Sequence, residues 1–490
     1  MSMGESMIAV IDGTAVRTGL FLDGEWVAAG AGGTFGVFDP ATEEHLADVA
    51  SATPEDAIRA LDAASRAQKE WGRTPPRERA ELLRRAFALI EERREQFAAV
   101  LTAEMGKPVT ESLGEVAYGN EFMRWFSEQA AHVNGGFGQN PSGQTNIVVS
   151  REPVGPSLLI TPWNFPLAMG TRKVGAALAA GCTVIIKPAA LTPLTMALFV
   201  QALSDAGVPP GVVGLLPSER AGAISSALMA DARLRKVSFT GSTAVGSILL
   251  RQAAEHVQRS SMELGGNGPL VVLGDADVDA AVEGALIAKF RNGGQSCVAA
   301  NRIIVHRDLA ERFTDAFVER VRALRLGDGR EEGVDIGPMI DRAQRDRVAE
   351  LVDGAVAQGA TVRVGGAVPA RTGSFYPPTV LTGVSPESTI CNEEIFGPVA
   401  TVTVAASDEE ALRLANDTPY GLVAFVFSQG IERALWAAGE LEAGMVGINR
   451  GLVSDAAAPF GGIKASGLGR EGGDAGIEEY LETKYVAIGK

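Results

Sequence analysis

Cys297 lies in the segment KFRNGGQSCVAANR, where two glycines, a glutamine and a serine lead into the thiol. The thiolate is the nucleophilic form of cysteine, and a glycine-rich approach lets the backbone turn openly and leave the sulfur reachable. The other two cysteines read differently. Cys182, inside AAGCTVII, reads as a small core hydrophobe, and Cys391, in TICNEEIFGP, as part of an exposed loop. Glu263, in SSMELGGNGP, is the matching base candidate. A carboxylate at a strand end beside a glycine pair can swing, and an apolar pocket raises its pKa toward that of a working base. Each alone has a plain alternative: an inert buried thiol, or a solvated surface carboxylate.

A nucleotide-binding turn is the second chemistry on offer. In KVSFTGSTAVG an apolar strand runs into Gly241 and Ser242 at the start of a helix that passes through Gly246. Free N–H groups and the dipole at such a helix start suit a pyrophosphate. In TVIIKPAALTP, Lys187 stands just past an apolar run, at the rim where an adenosine ribose would lie. An ordinary strand–helix turn and a solvated lysine also account for these two strings. GLGREG at 467–472 fits the three-glycine dinucleotide pattern, but no apolar strand precedes it and no strand–helix–strand unit contains it. It reads as a flexible turn.

An alternating framework must hold these residues. From Val154 onward the apolar runs VGPSLLIT, TVIIK, VVGLL and KVSFT recur at intervals of roughly 25 residues, with helical stretches between. This pattern predicts a doubly wound α/β fold whose parallel sheet binds ligands at the carboxyl ends of its strands. A second alternating block begins near Leu270, with PLVVLG, a helix over 277–290, RIIVH and a helix over 308–323, and continues to MVGIN at 445–449. Ahead of both, the extended start GLFLDGEWV precedes amphipathic helices expected over 54–70 and 76–105. The polar, extended stretches at 139–155 and 475–490 fit neither block. Such segments either pair with another subunit or form exposed hairpins.

Composition excludes several partners. With 44 Lys and Arg against 60 Asp and Glu, the net charge of −16 repels nucleic acid and anionic membrane, so an anionic ligand must be held locally. A chain of 490 residues exceeds one hydrophobic core, so two or three domains are expected. No apolar run reaches the ~18 residues that span a bilayer, and MSMGESMIAV has neither a basic region nor a cleavage pattern for export. Three widely separated cysteines make neither a disulfide framework nor a zinc cluster. The expectation is a cytoplasmic protein with reduced thiols and no metal.

Seven strings then bear on the question together: PWNFP (162–166), KPA (187–189), FTGS (239–242), ELGGN (263–267), GQSC (294–297), EEIFGP (393–398) and PFGGIKASGLGRE (459–471). In order and spacing they resemble the NAD(P)-dependent aldehyde dehydrogenase superfamily, from about residue 20 to the end. The resemblance implies Cys297 as nucleophile, Glu263 as the base for thioester hydrolysis, and Asn164 with the Cys297 N–H as oxyanion donors. It also implies cofactor contacts from Trp163, Lys187, Ala190, Gly241, Ser242, Gly246, Leu264, Glu394 and Phe396. Neither Asn164 nor Glu394 emerges from the residues without it. The implied architecture is a Rossmann-type cofactor domain (1–130 and 151–259), an α/β catalytic domain (260–442) and a small β oligomerisation arm (131–150 and 471–490). Homodimers or homotetramers are what the superfamily implies.

Within that superfamily, TRKVGAALAAGCT, KFRNGGQSCVAANR and GINRGLVSDAAAPFGGIKASGLGREG are most similar to the group that oxidises succinate semialdehyde. That similarity implies a substrate carboxylate held by Arg172, Arg291 and Ser454. Two guanidinium groups in an acidic protein select an anionic aldehyde. Glutarate semialdehyde is the nearest alternative, since one methylene alters binding by only ~1–3 kcal/mol. A non-redox thiol hydrolase would need a base near Cys297, and His45, His132, His256 and His306 have no supporting context. A non-catalytic relative would be marked by loss of the nucleophile or base, and both are present. Ala190 stands where NAD-preferring relatives often carry a glutamate, so NADP is expected to be preferred over NAD. Ala299 stands where some relatives carry a second cysteine, which excludes a Cys-x-Cys bridge.

Overall fold

The computed structural model describes residues 7–490, so part of the export reading, which rests on the first ten residues, lies outside the described residues. An eight-stranded sheet runs in the order Gly467–Leu468, Arg259–Glu263, Lys236–Thr240, Ser157–Ile160, Val184–Lys187, Val213–Leu215, Leu20–Leu22, Glu25–Val27. Its five inner strands are parallel, while Gly467–Leu468 and the Leu20–Leu22/Glu25–Val27 hairpin join antiparallel. Ser157–Ile160 has Val184–Lys187 on one side and Lys236–Thr240 on the other. The chain moves outward through Val184–Lys187 and Val213–Leu215, then returns to Lys236–Thr240 on the other side of Ser157–Ile160, and a crevice opens at the carboxyl ends where the order reverses. All three strands are wholly buried, as parallel strands covered on both faces must be.

A second sheet of seven strands runs Thr361–Val364, Thr379–Thr382, Val399–Ala405, Ala300–His306, Gly268–Val272, Val423–Phe427, Met445–Ile448. Only the Thr361–Val364 edge is antiparallel. Leu481–Gly489, Thr145–Pro153 and Gly136–Gln139 make a third, antiparallel sheet. Helix Pro166–Ala180 is buried along its whole length beside helix Val109–Gln129, whose Phe122 and Phe126 belong to the same core.

Several boundaries differ from expectation. The first sheet passes residue 259, because pairing with Lys236–Thr240 continues to Glu263. The second sheet passes 442 to take in Met445–Ile448, which pairs with Val423–Phe427. The arm expected over 131–150 reaches further, because its strand Thr145–Pro153 runs on to Pro153, paired with Leu481. The helix expected over 76–105 is two, Pro76–Glu92 and Arg94–Met105. Arg93 leaves helical geometry at the joint and pairs with Asp205 at 2.6 Å. GLGREG is no flexible turn: Gly467–Leu468 hydrogen-bonds along Met262–Glu263, and Glu471 is buried. Cys391 is buried as well, on the short helix Thr389–Asn392, where its carbonyl accepts from Asn267 Nδ2 at 2.7 Å. No helix among the described residues is long and apolar enough to cross a membrane.

Candidate active site

Two strand ends begin the site. After Ile160 the chain enters the turn that carries Trp163 and Asn164; after Thr240 it reaches Gly241 and Ser242. Ser242 caps helix Thr243–Glu255, its hydroxyl accepting from the Val245 N–H, so the remaining first-turn N–H groups face outward. Both turns border a cavity of about 590 Å³ that Glu263, Leu264, Cys297, Glu394 and Phe396 also line. Trp163 and Phe396 meet edge to face across it, with ring centroids 5.2 Å apart.

Not every expected cofactor residue lines this cavity. Lys187 closes its strand and is buried, and burial pulls its amine down to about 8. Ala190 lies partly buried against the first core. Gly246 packs under Leu264, where a Cβ would stand 2.4 Å from a leucine methyl. Its lack of a side chain lets Leu264 reach the cavity wall; Gly246 does not line the cavity itself.

Cys297 follows a turn whose Asn292, Gly293 and Gly294 all have positive φ, of 54°, 60° and 70°. A Cβ on Gly294 would sit 2.2 Å from the Gly397 carbonyl, so the turn demands glycine there. Asn164 is pinned on both faces of its amide. Its Oδ1 accepts from the Phe165 N–H at 3.1 Å, and its Nδ2 donates to the Gln295 carbonyl at 3.1 Å. The second Nδ2 hydrogen is left for the cavity. Burial pushes the Cys297 thiol up to about 12, with Arg172 the main influence in the opposite direction.

Glu263 is 2% exposed, and neither carboxyl oxygen has a hydrogen-bond partner among the described residues. Burial first, and then the charge of Glu471, raise its pKa well above the ordinary carboxylate range. Glu471 goes the other way. Burial opposes its charge, but Lys173 and Arg172 prevail and hold it down at about 2. It pairs with Arg172 Nε at 2.5 Å and with Lys173. The negative charge is thus held at Glu471, and burial together with that charge favours the protonated form of Glu263. Glu394 accepts from the Gly266 N–H at 3.2 Å, and burial pushes its carboxyl up to about 7.

Arg172, Arg291 and Ser454 gather around Tyr118, a residue that nothing in the sequence singled out. The Tyr118 hydroxyl faces Ser454 and Arg172 without completing a hydrogen bond, and Arg291 lies over the Tyr118 and Phe165 rings at 5.8 and 4.9 Å. The Arg172 guanidinium stacks on Phe460 at 4.1 Å, and its Nη1 is buried without a hydrogen-bond partner among the described residues. A second cavity of about 470 Å³ opens at Tyr118 and Ser454. Glu471 and Lys173 also escaped sequence reasoning as site residues, although Glu471 lies inside the last matching string. Tyr118, on helix Val109–Gln129, left no signal in the sequence.

The model of the Aldehyde dehydrogenase family matches residues 26–486. This chain belongs to the aldehyde dehydrogenase family. A succinate-semialdehyde dehydrogenase of Paenarthrobacter nicotinovorans is 54% identical over 90% of this chain and 98% of its own length. A 3-sulfolactaldehyde dehydrogenase of Pseudomonas putida is 46% identical over 99% of each chain. The crystal structure of an NADP-dependent enzyme of Escherichia coli superposes with a TM-score of 0.96 at 41% identity, covering 97% of this chain and 98% of that one. For an aldehyde dehydrogenase, a thiol, an amide donor and a proton-holding carboxyl around one cavity form a coherent set of parts.

Proposed function

We propose that this aldehyde dehydrogenase oxidises succinate semialdehyde to succinate, with NADP preferred over NAD. The observation that carries the substrate class is the meeting of Arg172, Arg291 and Ser454 around Tyr118, with an unpartnered guanidinium nitrogen among them. A buried donor without a partner costs free energy until a ligand satisfies it, and a carboxylate does so best. The aldehydes for which the two relatives are named, one bearing a carboxylate and one a sulfonate, agree with an anionic substrate.

The donor set also suits a nicotinamide dinucleotide. The helix start at Ser242 suits a pyrophosphate, the Glu394 carboxylate a ribose diol, and Lys187 the second ribose. Ala190 brings no negative charge against a 2′-phosphate. When bound, the oxidised nicotinamide accepts the hydride that leaves the aldehyde carbon.

In this reading the Cys297 thiolate attacks the aldehyde carbon and forms a C–S bond, and the oxygen becomes an alkoxide. The free Asn164 N–H and the Cys297 backbone N–H stabilise that charge. Loss of hydride re-forms the C=O bond as a thioester. Glu263, once ionised, takes a proton from water; the hydroxide adds to the thioester, and succinate leaves as the C–S bond breaks. The carboxylate group stays between Arg172 and Arg291 throughout, so it orients both half-reactions.

The three-stranded sheet leaves Phe137, Tyr485, Val486 and Ile488 exposed, which supports its reading as an oligomerisation arm. Light scattering, with and without residues 481–490, tests that.

The deciding assay follows absorbance at 340 nm with NADP over succinate semialdehyde, glutarate semialdehyde and propanal. The highest kcat/KM is expected for succinate semialdehyde, and propanal at parity with it would sink the anion-binding role of the arginines.

A further inference from the structure

Lys107 and Glu115 form an ion pair with side chains only 1% and 0% exposed. The Lys107 ammonium donates to Glu115 Oε2 at 2.5 Å and to the main-chain carbonyl of Asn164 at 2.8 Å. It also lies 4.1 Å from the centroid of the Phe165 ring. The other Glu115 oxygen accepts from the Leu167 and Ala168 N–H groups at 2.9 and 3.2 Å. These open helix Pro166–Ala180, where the helix dipole favours a carboxylate.

The turn before Cys297 reaches the same carbonyl. Asn292 Nδ2 donates to Asn164 O at 2.9 Å and to Gln295 O at 3.1 Å. The Asn292 N–H is held in turn by the Glu111 carboxylate, one helical turn before Glu115, at 2.8 and 3.0 Å. The Asn164 carbonyl thus receives one donor from the ion pair and one from the nucleophile's turn. Neutral groups would have served to cap a helix start. Burying two ions instead costs several kcal/mol apiece before their attraction is counted, so the pair is weak evidence of stability for its own sake. What it supplies is a fixed position for the Asn164 carbonyl against helix Val109–Gln129 and the first turn of Pro166–Ala180.

We propose that the Lys107–Glu115 pair is a positioning device for the oxyanion donor. By gripping the Asn164 carbonyl together with the first turn of Pro166–Ala180, it fixes the Asn164 amide relative to the Cys297 turn. This rests on the reading of Asn164 as oxyanion donor. Neither Lys107 nor Glu115 lines the cavity, so both act through Asn164. A donor displaced by about 1 Å loses on the order of 100-fold in rate.

The test is a mutant cycle on the full chain. Lys107→Met combined with Glu115→Gln removes both charges and strands neither. Single-turnover oxidation of succinate semialdehyde with NADP is expected to slow about 10- to 100-fold. KM for the aldehyde and the rate of Cys297 alkylation by iodoacetamide should stay unchanged. In an Asn164→Ala background the same pair of substitutions should slow nothing further, because the amide it positions is gone. Equal slowing in both backgrounds overturns the proposal, as does an unchanged rate in the natural background. Undiminished oxidation by Asn164→Ala overturns instead the reading of Asn164. Should the double variant not fold, Glu115→Gln alone keeps an acceptor for the helix start and is read by the same cycle.

Discussion

The two sides of the site, around Ser242 and around Tyr118, are built on different principles. The cofactor end is made of backbone: two parallel strand ends, a helix start capped by Ser242, and glycines that keep the walls close. The substrate end is made of buried charge: Arg172 and Lys173 against Glu471, Lys107 against Glu115, and Arg291 over two rings. Backbone groups at a strand–helix turn are satisfied locally and cost little to keep. Buried ions persist only where each finds a partner, and Arg172 and Lys173 find theirs about 300 residues away. The difference teaches that cofactor binding can tolerate much change at the substrate end, whereas catalysis and stability there are tied together.

Cys297→Ala sits between the ends and should separate them most. Oxidation is expected to fall by roughly 10⁴-fold or more, while NADP binding, followed by fluorescence titration, stays intact. Loss of cofactor binding would show that the two ends are not independent.

Glu471→Gln comes next. It leaves Arg172 and Lys173 without their shared carboxylate, so unfolding free energy should drop by ~3–5 kcal/mol in urea melts. It also removes a charge that raises Glu263 and frees two that lower it. Glu263 is a base only when ionised, so base-limited turnover rises with pH through its raised pKa. In the variant this rise must move to lower pH, and an unmoved kcat–pH profile would remove the coupling.

Arg291 makes no ion pair among the described residues, unlike Arg172. Arg291→Met should therefore raise KM for succinate semialdehyde by ~1.5–3 kcal/mol, the worth of a hydrogen bond to a charged group, without lowering the melting temperature. A matching loss of thermal stability would mean that Arg291, too, is structural. The smallest effect belongs to the cofactor end. Ala190→Glu should shift the NADP/NAD ratio of kcat/KM about tenfold toward NAD, ~1.4 kcal/mol of selectivity. An unchanged ratio would leave the NADP preference without a residue.

Much of this was legible in the chain itself. The alternation of apolar runs and helical stretches predicted the α/β sheets, because a parallel strand buried on both faces must be continuously apolar. The Gly–Gly–Gln–Ser approach marked Cys297, and the strand running into Gly241 and Ser242 marked the helix start. These signals are local, each contained within a dozen residues.

Only the tertiary structure decided the rest. GLGREG reads as a loose turn, yet its glycines seat an edge strand on Met262–Glu263 and its glutamate meets Arg172 and Lys173 from a distance of about 300 residues. Cys391 reads as exposed because polar neighbours surround it in sequence, but it packs in the core of the second sheet's helices. Tyr118, Lys107 and Glu115 carry no local mark at all, since what distinguishes them is which carbonyl or guanidinium they meet. Sequence therefore singled out Cys297, the raw material of the sheets and the strand–helix turn at Ser242. The raised pKa of Glu263, the cluster around Tyr118 and the grip on Asn164 arise from burial and tertiary contact, which exist only once the chain has folded.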